Sequence, residues 1–97
     1  MHTYHVYVRD SSLTFDARGV LGAMVSTPEL ANGATVEALT AMAADTADQV
    51  RGYLAELVDA GYVTCEPTSG ADLYKPTTKA FATATDDLAV ANRWQVP

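Results

Sequence analysis

Three groups of side chains have the atoms for chemistry. His2 and His5 offer imidazole nitrogens to a metal, Cys65 offers a thiol, and Asp86 and Asp87 offer neighbouring carboxylates. None of them has the spacing its chemistry needs. The segment YHVYV at 4–8 is β-branched and aromatic and predicts a strand. Residues three apart on a strand point to opposite faces, so the two histidines do not converge on one ion. No Cys/His cluster at ligand spacing accompanies them. Adjacent helical residues point about 100° apart, so Asp86 and Asp87 do not form an acid–base pair. No feature of the sequence activates Cys65, and a half-buried, inert thiol is expected. A nucleophile–base set, a glycine-rich phosphate loop and a metal motif are all lacking. The expectation is a protein that is not an enzyme, with no cofactor and no metal.

The periodicity defines the elements that would position any site. After the strand at 4–8, Thr14 is a cap candidate, and Asp16 suits the first turn of a helix. Ala17, Val20, Leu21 and Met24 repeat at helical spacing and predict a helix over 15–26. Pro28 and the pair Asn32-Gly33 mark a loop. Thr35 caps a short second helix with Val36, Leu39, Met42 and Ala43 on one face. Asp45 or Thr46 caps a third, over 46–60, with Ala47, Val50, Leu54, Leu57 and Val58 inward; Gly61 ends it. Residues 62–66 and 73–75 predict a β-hairpin over 62–76, turning at 67–71. Thr77 caps a last helix over 78–92, with Phe81, Ala84, Leu88 and Ala91 at spacings of three and four.

Composition bounds the rest. With 97 residues and 48% apolar side chains, the chain suits one domain over 1–97 with a packed core over about 4–82. No apolar run is long enough for a membrane span, and the start lacks the pattern of a signal peptide. The single cysteine cannot form an internal disulfide, and a cytoplasmic protein is expected. The formal net charge is −6. Within 36–61, Glu37, Asp45, Asp48, Glu56 and Asp59 face a single base, Arg51.

The stretch TVEALTAMAADTADQVRGYLAELVDAGYV (35–63) resembles the helix-turn-helix of winged-helix DNA-binding proteins, most of all in LAELVDAGYV (54–63). DLYKPTTKAF (72–81) resembles the second wing strand and the capped helix after it. HVYVRDSSLTFDARGVLGAMVS (5–26) resembles the opening of such domains in phage and plasmid replication initiators and small bacterial regulators. The resemblance implies an α+β winged helix-turn-helix fold: three core helices, a hairpin wing and a further C-terminal helix. It also implies a DNA-binding regulatory or accessory protein whose third helix lies in the major groove. The reading positions would be Thr46, Asp48, Gln49, Arg51 and Gly52. Gln49 would pair with adenine and Arg51 with guanine. Thr46, Thr68, Ser69 and Lys75 would contact phosphates. Gly52 and Glu56 depart from the long or basic side chains common at those places, and Asp48 and Glu56 would meet the DNA with the wrong sign. Two or three cations per copy give weak binding, so a homodimer is expected, built on Phe81, Leu88 and Trp94 of the last helix and tail. The charge supports an alternative: an acidic module of this fold that binds a basic protein partner.

Overall fold

The computed structural model describes residues 2–86. Strand β1 (His2–His5) leads into a 3-10 turn (Val6–Arg9). Helices α1 (Phe15–Ser26), α2 (Pro28–Ala31), α3 (Val36–Ala41) and α4 (Ala47–Asp59) follow. Strands β2 (Val63–Pro67) and β3 (Asp72–Pro76), a second 3-10 turn (Thr78–Phe81) and strand β4 (Thr83–Asp86) complete the described chain. The protein is α+β, with two separate antiparallel pairs, β1–β4 and β2–β3.

Each longer helix starts on a threonine that accepts from the backbone three residues on. Thr14 accepts from Ala17, Thr35 from Ala38 and Thr46 from Gln49. At Thr46 the contact is reciprocal: the Gln49 side chain accepts the Thr46 N–H at 2.9 Å, which completes a capping box. Helix α4 ends on Gly61, at φ 85°. There the Tyr62 N–H donates to Leu57 at 2.9 Å and the Gly61 N–H to Val58 at 3.0 Å, a Schellman closure.

The core is continuous across these elements. Leu21 and Met24 of α1, Leu39 of α3, and Val50, Leu54 and Leu57 of α4 meet Tyr62 and Val63 at the start of the hairpin. Tyr62 is the largest fully buried side chain. Its hydroxyl donates to Asp10 at 2.6 Å, and its ring packs edge-on against Tyr7.

Three elements differ from the sequence expectation. The segment marked as a loop by Pro28 holds the short helix α2 (Pro28–Ala31), because proline starts a helix at its first position as readily as it breaks one inside. The strand expected at 4–8 lies at 2–5, and residues 6–9 curl into a 3-10 turn. A strand would put Val6 and Val8 on one face and Tyr7 on the other. The turn buries Tyr7 and leaves both valines exposed. The helix expected at 78–92 is absent over its first part. Only Thr78–Phe81 is helical, as a 3-10 turn, and Thr83–Asp86 is a strand on β1. Thr77 does not cap; its hydroxyl donates to the Gly61 carbonyl at 2.8 Å. Thr83 and Thr85 are β-branched and pair with His5 and Thr3, and Val6 donates to Ala82 at 2.9 Å to extend the ladder. The helical spacing of Phe81 and Ala84 therefore does not build a helix face. Leu88, Ala91 and Trp94 lie outside the described residues. Met42, expected on the buried face of the second helix, is 58% exposed, because α3 ends at Ala41.

The Tyr62–Asp10 contact shifts both groups. Hydrogen bonds from Ser12, then from Tyr62, hold the Asp10 carboxyl down at about 2. Burial, then the bond to Asp10, pushes the Tyr62 hydroxyl up to about 12. The Asp10 contribution to stability is complete above about pH 4, where an unfolded aspartate is ionised, and is lost as pH falls toward 2. The Tyr62 contribution is complete below about pH 10 and is lost as pH rises toward 12. Tyr62→Phe is expected to cost about 1.5 kcal/mol at neutral pH. It should also flatten both the acid and the alkaline limb of the stability profile. Thermal denaturation followed by circular dichroism across that pH range checks this; unchanged limbs would show that the bond contributes nothing.

Candidate nucleic-acid interface

Helix α4 buries Val50, Leu54 and Leu57 and leaves Asp48, Gln49, Arg51, Gly52 and Ala55 exposed. The hairpin follows directly, and its strand β3 runs past the start of α3. Ala34, just before α3, exchanges two 2.7 Å hydrogen bonds with Tyr74 of β3. That bridge adds a third short backbone segment to the hairpin. Gly33 permits it, at φ 133°, with the Leu73 side chain where a Cβ would stand. A cleft of about 220 Å³ opens between the elements, lined by Thr35, Val36 and Glu37 of the α3 start, Arg51 of α4, and Ala71, Asp72 and Tyr74 of the hairpin.

Arg51 is the sequence-expected base reader, and it is exposed at the mouth of this cleft. Its Nη1 donates to Asp48 at 2.9 Å, one helical turn back. Guanidinium carries five N–H donors, so this exposed contact leaves donors for another partner. Gln49 is less free than expected. Its Oε1 is the acceptor of the capping box. Bidentate adenine recognition needs that oxygen and the amide nitrogen together, so it requires the cap to open. Thr46 is tied up in the same box, its hydroxyl accepting from Gln49 at 3.2 Å. Gly52 is exposed, with no atom within 4 Å of where a Cβ would stand, so nothing screens the helix backbone there.

The hairpin residues divide by strand parity. Asp72 and Tyr74 line the cleft. Lys75, one position on, points to the other face, so it does not join Arg51. Thr68 closes the hairpin turn: it donates its N–H to Ala71 and accepts the Ala71 N–H at 3.2 Å through its hydroxyl. Ser69 is exposed at the tip. Cys65, expected half-buried, is exposed, because β2 is covered only at Val63. It sits across from Tyr74, whose hydroxyl is pushed up in pKa by burial first and then by the neighbouring Cys65.

Glu56 was expected to face a phosphate. Instead it turns inward and accepts from both the backbone N–H and the hydroxyl of Thr14, the latter at 3.0 Å. A carboxylate at the start of α1 meets the positive end of that helix, so Glu56 joins α4 to α1. Of the expected dimer contacts, Phe81 is 44% exposed, and Leu88 and Trp94 lie outside the described residues. Glu37, Asp72 and Tyr74 were not anticipated as cleft residues. The parity of 72 and 74 was visible, but the partner that makes it matter, Ala34, lies forty residues away.

At the cleft, Arg51 stands against Glu37, Asp72 and its own partner Asp48, all exposed. Comparison with family models, curated proteins and solved structures gave no match.

The open space at Gly52 has a measurable consequence. Gly52→Ala should stabilise the protein by about 0.5–1 kcal/mol, because glycine inside a helix loses more backbone entropy than alanine. That corresponds to a rise of about 2–8 °C in Tm for a domain this size. A scanning melt checks it; a fall in Tm would mean the α4 face is not open.

Proposed function

We propose that the chain is a winged helix-turn-helix module that reads duplex DNA with α4, the β2–β3 hairpin acting as the wing. One observation carries the reading. Helices α3 and α4 meet through a tight turn, and the hairpin after α4 is stitched to the residue before α3. The Asp48–Arg51–Gly52 face of α4 is left open beside the hairpin. That is the arrangement a recognition helix needs to enter a major groove while a wing follows the backbone.

The charges favour selectivity over affinity. Carboxylates around the cleft repel phosphate and weaken binding to arbitrary sequence, where affinity comes from neutralised phosphates. Arg51 has free N–H donors to offer as a fork to guanine O6 and N7. Asp48 itself accepts from cytosine N4 where the groove offers one. Gly52 lets the helix backbone approach closely. With Arg51 as the cation at the cleft, one copy engages about one phosphate or base there, a salt slope near −1. A homodimer on two half-sites doubles that.

A second reading rests on the acid excess itself: the same face would dock on a basic protein. The two separate in one experiment. Selection from a random duplex library at low salt should enrich a short motif containing guanine, and Arg51→Ala should lose that guanine at a cost of about 1–3 kcal/mol. No enrichment, with tight binding to a basic protein surface that depends on Glu37 and Asp72, would overturn the DNA reading.

A further inference from the structure

A second depression lies on the other side of α3 and shares no residue with the cleft. It has a volume of about 270 Å³ and runs between α1 and the α3–α4 turn. Its floor is Leu39 and Val50, both buried, and the small residues Gly19 and Ala23 keep α1 from filling it. Its walls are Phe15, 85% exposed, and Met42, 58% exposed, the two most exposed large apolar side chains among the described residues. Neither side chain fills the groove. Phe15 opens α1 and Met42 caps α3, so both side chains project from helix ends. The volume falls just below the range for drug-sized ligands, roughly 300–1,000 Å³, and suits one or two apolar side chains.

Charge decides what those side chains belong to. Asp16 and Asp45 stand on the rim, and no base lines the groove. Burial, then the charges of Asp16 and Asp45, push the Tyr53 hydroxyl up in pKa, so both carboxylates stand together beside the groove at one end. Arg18 lies over the Phe15 ring, its guanidinium 5.0 Å from the ring centre, and its donors go to the Val8 and Asp10 carbonyls, so it backs this wall without lining the groove. A second copy of this chain would bring the same carboxylates against each other, which disfavours self-association. A segment with the opposite charge gains where a second copy loses.

We propose that this groove is a docking site for a basic amphipathic segment of another protein, which inserts an apolar side chain between Phe15 and Met42 and sets Lys or Arg against Asp16 and Asp45. This is helix-in-groove recognition, with apolar anchors giving affinity and rim charges giving orientation. The site stands whether or not α4 binds DNA, because the two surfaces are disjoint.

The test uses the full chain, isotopically labelled for amide NMR, and two synthetic helical peptides of about 14 residues, roughly four turns. Both carry leucine at core spacing, one with lysine and the other with glutamate at its polar positions. The lysine peptide should shift the amides of Gly19, Ala23 and Ala43, and the glutamate peptide should bind at least about tenfold more weakly. Asp16→Asn with Asp45→Asn should weaken the lysine peptide about five- to tenfold. Gly19→Met, which fills the groove from an open helical position, should abolish its shifts while the rest of the spectrum keeps its dispersion. Shifts confined to Glu37, Asp48 and Asp72 would overturn the proposal, as would equal binding of both peptides or none. Concentration-dependent dimerisation in sedimentation, lost in Gly19→Met, would assign the groove to a second copy and overturn it too.

Discussion

The bond from the Tyr62 hydroxyl to the Asp10 carboxylate joins parts of the chain 52 residues apart. Tyr62 is also where α4 stops: its N–H closes the Schellman turn, and its carbonyl accepts from Thr77 at 2.8 Å. Lys79 lies over its ring at 4.4 Å and donates to the Ala60 carbonyl at 2.6 Å, at the negative end of α4. Asp10 is held from the other side, its carbonyl accepting Arg18 Nη2 at 2.6 Å. One buried phenol thus ties together the N-terminal segment, α1, the end of α4 and the chain after the hairpin. A hydrogen bond to a charged group contributes about 1.5–3 kcal/mol, less where the acceptor is half-exposed, against a total of about 5–15 kcal/mol for a small domain. The direction in which α4 presents its outer face depends on this junction.

The three longer helices were legible because their signals are local, whereas α2 was read as a loop. Thr14, Thr35 and Thr46 are caps whose partners lie three residues away, and Gly61 stops α4 by its own backbone preference. The hairpin was legible for the same reason. The misread segments are those settled by distant partners. Residues 83–86 carry a helical spacing and a β-branched alternation at once, and β1, some eighty residues away, decides between them. The heptad-like spacing of Phe81 and Ala84 had no partner helix to reward it. At 6–8, a β-rich run gives way to a 3-10 turn because burying Tyr7 against Tyr62 outweighs an extended Val-Tyr-Val face.

The candidate site divides along the same line. Arg51 and Gly52 were legible as outward residues of an amphipathic helix, and they are outward. Gln49 was legible as exposed but not as engaged, although a glutamine three residues after a threonine cap is the capping-box pattern itself. Glu56 was misplaced for a subtler reason. It belongs to the half-buried flank of α4, and its two hydrogen bonds go to Thr14, which no period within α4 reveals. Lys75 and Tyr74 show how one residue of strand parity decides which neighbours share a cleft.

Net charge therefore misleads as a guide to this surface. A total of −6 invites the picture of a uniformly acidic protein that no polyanion would approach. Part of that acid is internal to the fold. Asp10 holds Tyr62, and Glu56 closes the start of α1. Each carboxylate meets its partner within a hydrogen bond's length, where geometry matters more than the total. What a nucleic acid or a protein would meet is the remainder: an arginine beside Glu37 and Asp72 at one cleft, and Asp16 with Asp45 beside exposed Phe15 and Met42 at the other. A guanidinium among carboxylates suits a partner that presents donors and acceptors in a set pattern. An apolar groove with an acidic rim suits one that presents a greasy side chain and a cation. Two surfaces of like sign can thus serve unlike partners, because what distinguishes them is the group placed at the centre of each, not the charge around it.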